Sequence, residues 1–251
     1  FFSSRRRHTS LLLSRGLGDV YKRQILSRVH DMGGRYGDGA IQPASINDKN
    51  FKEKWHSRAL AVTLATGSLK QWNLDMSRHA RECLPPKDYC AFSYYDKWIS
   101  ALANLLVNKG VISADEFLDP IRKTHPLSSR KLLAADVAGV LSKGAPTSRS
   151  VDSPPKFLVG QRVKTRRAVN KFISGGHTRL PKYVEKCEGK IEIYHGAHVF
   201  PDTHAHNLGE QPEHLYTVSF LASELWESPE NPSDTLCVDI WESYLEPMNV
   251  P

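Results

Sequence analysis

No stretch of this 251-residue chain approaches the ~18 consecutive apolar residues that a membrane-spanning helix requires, so neither a membrane span nor a membrane partner is expected. Cysteine is scarce. Cys83, Cys90, Cys187 and Cys237 are the only four, and they form no C-x-x-C pair and no closely spaced Cys/His set of the zinc type. Scattered cysteines of this kind read as small buried hydrophobes, and this chain alone is not expected to hold a metal. A nucleophile elbow, a dinucleotide loop and an internal repeat are also missing. The glycines at 33, 34, 37 and 39 lack the Lys-Ser/Thr ending and the flanking strand of a phosphate loop. The segment from His30 to Asn50 therefore reads as an extended, irregular arm.

Charge is the one unbalanced feature of composition. The formal net charge is +7 and the isoelectric point is about 9.2, values that would ordinarily raise nucleic acid as a partner. Its location argues otherwise. Residues 1–24 hold Arg5, Arg6, Arg7, Arg15, Lys22 and Arg23 against Asp19, a net of +5, which leaves only about +2 for the rest. This opening resembles translated sequencing adaptor and is set aside as a non-native tail, with a mitochondrial presequence as the alternative because it is Arg-rich, Ser-rich and acid-poor. The apolar run Leu11–Leu13 is too short for a secretory signal, so a cytoplasmic protein without a nucleic-acid partner is expected.

Apolar residues then recur at helical spacing. Phe51, Trp55, Ala59 and Val62 define a first helix stopped by Gly67, and a second starts at the cap Asn73 and ends before Pro85 and Pro86. The strongest stripe is Tyr95, Trp98, Leu102 and Leu105, widened by Ile99 and Leu106, opened by Ser93 and Asp96 and closed by Gly110. Ser113 and Glu116 have capping-box spacing before another short helix. Residues 120–156 mix Pro, Ser, Lys, Ala and Gly and read as a linker, with a short amphipathic helix through Leu132, Leu133, Val137 and Leu141. Beyond it the period becomes two: Val163 and Thr165; Ile191 and Ile193; Tyr216, Val218 and Phe220; Leu236, Val238 and Ile240. The expected class is α+β: an arm and helical domain over 25–119, the linker 120–156, and a small SH3-like β-barrel over 157–251.

Candidate chemistry inside the chain is thin. Asp202, His204 and His206 could face one ion from an extended segment, but PDTHAHNLGE reads better as an ordinary surface turn. Arg78 and Arg179 lie in different predicted domains, and composition alone would mark neither, since most arginines are solvated.

Four blocks change that. They are His30-Asp31-Met32-Gly33-Gly34 in the arm; Trp72-Asn73-Leu74-Asp75 with Arg78, Leu84-Pro85-Pro86, Tyr89, Ser93-Tyr94-Tyr95, Trp98 and LLVNKGVIS; GHTRLPKY from Gly176 to Tyr183; and HGAHVFPDTHAH through GEQPEHLYTVSF to Trp226, closing on VDIWESYLEP at Pro247. In order and spacing they resemble nitrile hydratase beta subunits along nearly the whole chain from His30. Departures are Leu26-Ser27-Arg28 where the family has Met-Asn-Gly, Asp38-Gly39-Ala40 for its Phe-Gly-Pro run, and Met76 where an acidic residue is common.

The resemblance implies an obligate heterodimer with an alpha subunit, paired as α2β2, that hydrates a small nitrile to its amide. The metal would sit in a cysteine-rich claw of the alpha subunit, with two of its cysteines oxidised to sulfenate and sulfinate. Arg78 and Arg179 match the two beta-subunit arginines that hydrogen-bond those oxidised sulfurs, Tyr94 matches the pocket tyrosine, and Leu60 and Trp98 match substrate-lining positions. Ordinary helical core is the competing reading for Leu60 and Trp98. Iron-type relatives tend to carry tyrosines at those two positions, so the resemblance implies cobalt(III), with iron(III) the less favoured metal. The rivals are a thiocyanate hydrolase subunit, a metallochaperone-like activator that resembles only the helical half, and a basic module binding RNA or DNA.

Overall fold

A computed structural model describes residues 29–31, 45, 47–119 and 126–248. The adaptor-like opening and most of the glycine-rich arm lie outside the described residues. Those described form two compact units, one running to Gly144 and one from Ala145 to Met248 that also takes in Asp31.

The first unit is helical: α1 Lys54–Gly67, α2 Leu74–Glu82, α3 Pro86–Ala91, α4 Tyr94–Asn108, α5 Ala114–Leu118 and α6 Val137–Lys143. The caps are those the sequence announces. Asn73 accepts from the Met76 N–H at 2.9 Å, Ser113 and Glu116 exchange bonds of 2.9 and 3.0 Å, and Gly110 leaves α4 with φ +65°, a conformation that favours glycine. α4 buries Ala101, Leu102 and Leu105 and packs on both α1 and α2. The first helix departs from its expected stripe: it buries His56 and Ala59, while Val62 is exposed. At about 100° per residue Val62 lies roughly 120° round the helix from His56, so one-sided cover leaves it out. α3 was not foreseen. Pro86, read as a breaker, instead occupies the first turn, where a missing N–H costs nothing.

The second unit is a six-stranded antiparallel sheet, β1 Ser148–Arg149, β2 Arg162–Thr165, β3 Glu188–His198, β4 Glu213–Leu221, β5 Thr235–Trp241 and β6 Leu245–Pro247. Strand order is β5-β4-β3-β2-β6, with β1 added to β3. Among the described residues no pairing joins β5 to β6, so the expected barrel reaches the antiparallel sheet and no further. Its core holds Val163, Ile191, Tyr216, Val218, Phe220 and Ile240, packed with Phe157, Leu180, Val184, Phe200 and Tyr244. The sheet is joined to α7 Pro201–His204 and α8 Ala222–Leu225.

Ile191 and Ile193 were expected on one face. Ile191 is fully buried but Ile193 is 51% exposed, because the register slips by one residue between them: Ile191 pairs with Val218 and Ile193 with Thr217. The extra residue is a β-bulge, which turns the strand over. Gly189 marks the tightest approach in the sheet. A Cβ there would stand 2.7 Å from Val218 Cγ1, 2.8 Å from Phe220 Cε1 and 2.8 Å from the Ser219 carbonyl. Gly189→Ala is therefore expected to destabilise the protein by about 1–3 kcal/mol through overpacking. A thermal midpoint equal to that of the parent would contradict it.

The cysteines are not the buried hydrophobes expected. Cys90 and Cys237 are exposed and Cys83 and Cys187 half-buried, since Cys90 sits near the end of a short surface helix and Cys237 on edge strand β5, pointing away from the core. No helix of the described residues is long and apolar enough to cross a membrane.

Candidate functional site

Four of the five candidate residues belong to the first unit, on the helices that α4 brings together. Arg78 lies in the middle of α2. One turn before it stands Asp75, which the Asn73 cap places in the first turn, where a carboxylate is favoured by the helix dipole. The Arg78 Nη1 donates to Asp75 Oδ1 at 2.8 Å, and the Asp75 side chain is 8% exposed against 36% for Arg78. The carboxylate is thus a fixed anchor, and the guanidinium beyond it is reachable from solvent.

Three residues further on the same helix face, Arg81 lies over the Trp98 ring at 4.7 Å. Burial pulls the Arg81 pKa below its usual value; the nearby Tyr94 opposes this and Arg78 adds to it. Trp98 in turn meets Tyr94 at 5.5 Å and Tyr95 at 6.2 Å between ring centroids. Tyr95 stacks towards His56 at 4.9 Å and Phe51 at 5.9 Å. Leu60 and Trp98 are half-buried, not core, and Tyr94 is 63% exposed at the head of α4. The result is an aromatic shelf with a cation on it. Sequence reading passed over Arg81, and the available signal was its spacing of three from Arg78.

His79, on the same helix, is a second charged group. Burial alone lowers its pKa, but hydrogen bonds with Cys83 and Glu82 outweigh this and raise it to about 9. The Glu82 contact is 3.3 Å long.

Arg179 belongs to the second unit. It is exposed, on the irregular segment between the core residue Ala168 and the 3-10 turn Lys182–Val184. Its backbone N–H donates to the Tyr244 hydroxyl oxygen at 3.2 Å, and the neighbouring Thr178 hydroxyl does so at 3.1 Å. Lys182 N–H, opening the 3-10 turn, donates to Asp31 Oδ2 at 2.8 Å, which ties that one residue to the GHTRLPKY block. Gly176 is required: a Cβ there would fall 2.8 Å from His206 Nε2 and 2.9 Å from the Ile173 carbonyl.

The segment PDTHAHNLGE corrects the surface-turn reading. Pro201, Asp202 and Thr203 form the buried turn α7, Asp202 being 1% exposed. Asp202 accepts from the Tyr244 hydroxyl, and His206 Nε2 accepts from the His177 N–H at 2.9 Å. These side chains hold the loop that carries Arg179. What misled the reading was composition: Pro, Asp, Thr and His suit a solvated turn, and only the tertiary partner reveals that their polar atoms are satisfied internally.

Helical and sheet halves in this order are recognised separately by two family models that both describe one subunit of a multi-subunit enzyme. Residues 26–138 match the nitrile hydratase beta subunit N-terminal domain and residues 146–247 its C-terminal domain. The chain belongs to the nitrile hydratase beta subunit family and is a part of that enzyme, which as a beta subunit it forms with an alpha subunit. It is 36% identical over 228 residues to the nitrile hydratase subunit beta of Pseudomonas putida, covering 88% of this chain and 100% of that one. It is 35% identical over 226 residues to the low-molecular weight cobalt-containing nitrile hydratase subunit beta of Rhodococcus rhodochrous, covering 87% and 98%. With the cobalt-containing subunit beta of Pseudonocardia thermophila it shares 34% over 230 residues, 88% and 96% of the two chains. Among solved structures, a recombinant apo thiocyanate hydrolase chain of Thiobacillus thioparus matches 38% of this chain and 78% of its own, at 28% identity and a TM-score of 0.34.

Proposed function

We propose that this chain completes the nitrile-hydrating site of the enzyme from the side opposite the metal, supplying hydrogen-bond donors and a pocket wall to a centre held by the alpha subunit. Arg78 and Arg179 are the donors to the oxidised cysteines, Tyr94 donates to bound substrate through its hydroxyl, and Leu60 and Trp98 line the pocket. The metal is proposed to be cobalt(III), two relatives being cobalt-containing enzymes by name, and the assembly an obligate heterodimer doubled to α2β2 in the cytoplasm. The sheet unit is proposed to be an SH3-like barrel.

The observation that carries this reading is the anchored Arg78. A guanidinium has five N–H donors, and Asp75 holds one end at 2.8 Å while the side chain remains partly open. Sulfenate and sulfinate oxygens in a dry interface need charge-assisted donors, and a planar fork meets them with less reorganisation than an ammonium. Without such donors their negative charge would be uncompensated, and the sulfenate could oxidise further. The donor set of this chain therefore fits the centre that the resemblance implies. A trivalent ion there supplies Lewis acidity toward the nitrile. The half-buried Trp98 ring with the exposed Tyr94 beside it at 5.5 Å gives an apolar surface with one hydroxyl at its rim, suited to a short apolar chain ending in a polar group.

The test is acrylonitrile hydration by this chain expressed alone and with the alpha subunit of a relative in cobalt-supplemented cells. Activity is expected only in the pair. A stable, metal-loaded pair without hydratase activity would reject the reading.

A further inference from the structure

Arg179 sits on an irregular loop, and such segments usually hold their conformation loosely. Beneath this one lies a built support. Tyr244, ending the 3-10 turn Glu242–Tyr244 before β6, is 3% exposed. Its oxygen receives the Arg179 N–H at 3.2 Å and the Thr178 hydroxyl at 3.1 Å, and its own proton goes to Asp202. A phenol oxygen has one proton and two lone pairs. With one bond given and two received, Tyr244 is saturated, and two of its three bonds end on the loop.

The other side of the loop is clamped as well. Asn170 donates to the His177 carbonyl at 2.6 Å and the Asp202 carbonyl at 2.9 Å, while its own oxygen accepts from Phe172 and Ile173 N–H at 2.8 and 2.9 Å. The backbone around Arg179 is thus joined to α7 and to the entry of β6 by buried polar groups, each with few ways to move. Burial and the neighbouring Asp202 carboxylate also push the Tyr244 pKa well above its ordinary value, so the phenol keeps its proton.

We propose that Tyr244, oriented by Asp202, is a positioning residue for Arg179, fixing the loop backbone so that the guanidinium meets the reacting centre already in place. This rests on the reading that Arg179 serves that centre. Preorganised donors act without reorganisation at the moment of reaction, and small misplacements are costly. The same unit contains a matched control. Tyr216, fully buried, donates to Glu242 Oε2 at 2.8 Å, and Glu242 also accepts from the Lys156 N–H at 2.8 Å. That pair is also a phenol–carboxylate bond, with Glu242 8% exposed against 1% for Asp202 and in the same turn as Tyr244, but it makes no bond to residues 176–180.

The experiment uses the assembled alpha–beta enzyme. Tyr244→Phe keeps the ring against Phe200 at 5.5 Å and removes only the oxygen. It is expected to lower kcat about 10-fold with KM little changed, and to speed amide hydrogen exchange in the peptide containing Arg179. Tyr216→Phe lowers the thermal midpoint but leaves kcat and that exchange unchanged. In an Arg179→Ala background Tyr244→Phe lowers kcat no further. Should Arg179→Ala be impaired while Tyr244→Phe turns over normally, or should the two losses multiply, the positioning role is overturned and the reading of Arg179 stands. Should Arg179→Ala itself be unimpaired, that reading falls and the positioning role with it. Where Tyr244→Phe does not assemble, Thr178→Val removes one of the two donors to the same oxygen. A loss of about threefold in kcat with faster exchange supports the proposal, and no change in either overturns it.

Discussion

Replacing Arg78 by alanine in the assembled enzyme is expected to lower kcat by about 10²-fold or more, the cost of removing one charged donor from a site built to receive negative charge. A second effect should accompany it. The substitution also strips Asp75 of a 2.8 Å partner, and because Arg78 is partly open to water the expected loss of stability is only about 1 kcal/mol, or roughly 2–4 °C in the thermal midpoint of a chain this size. Arg78→Lys restores a cation but not a planar fork, so it should recover stability better than turnover. Steady-state kinetics and thermal unfolding on the same three preparations check both halves. A variant with normal kcat and a lowered midpoint would leave Arg78 a structural residue of α2 and nothing more.

How much of this was legible from the chain depended on whether the deciding interaction is local. Asn73, Ser93, Ser113 and Gly110 act on backbone groups within four residues, and each appears in the structure where the spacing put it. The β4 face, Tyr216, Val218 and Phe220, was legible from alternation and is buried, although the strand is buried on its other face as well at Leu215 and Thr217. The misreadings share a different cause. Whether Ile193 faces in or out is settled by one extra residue opposite Thr217, a property of two strands and not of one. Asp202 looks like a solvated turn residue until Tyr244, forty-two positions away, is known to donate to it. The pairing of Ser148 and Arg149 with β3 was likewise hidden in a segment that reads as linker, because two residues carry no period.

The site divides in the same way. Arg78, Tyr94, Trp98 and Leu60 were found by resemblance to a family, and their grouping on α1, α2 and α4 follows from helix packing that periodicity does foresee. Arg81 was missed because its role as a lid on Trp98 depends on the angle between α2 and α4. The scaffolding of Arg179 was missed because its members, Asn170, Asp202, His206 and Tyr244, are polar or amphipathic residues in irregular segments, where neither a period of two nor one of 3.6 gives a signal.

Arg179 should behave as the inverse of Arg78. Its side chain is exposed and, among the described residues, its guanidinium joins no hydrogen bond or ion pair, the loop being held through the backbone N–H. Arg179→Ala therefore removes nothing that supports the fold, and stability is expected to stay within about 0.5 kcal/mol of the parent, as for other surface substitutions. Turnover is expected to fall by about 10²-fold, since the lost group is a donor presented on an already ordered backbone. Arg179→Lys should be impaired by about 10-fold, keeping the charge and losing the fork geometry. The contrast is the informative part: kcat falls for both arginines, but the thermal midpoint falls only for Arg78. Equal destabilisation of both variants would mean that Arg179 is packed into the fold in a way its exposure does not suggest, and near-normal turnover in Arg179→Ala would remove it from the active site.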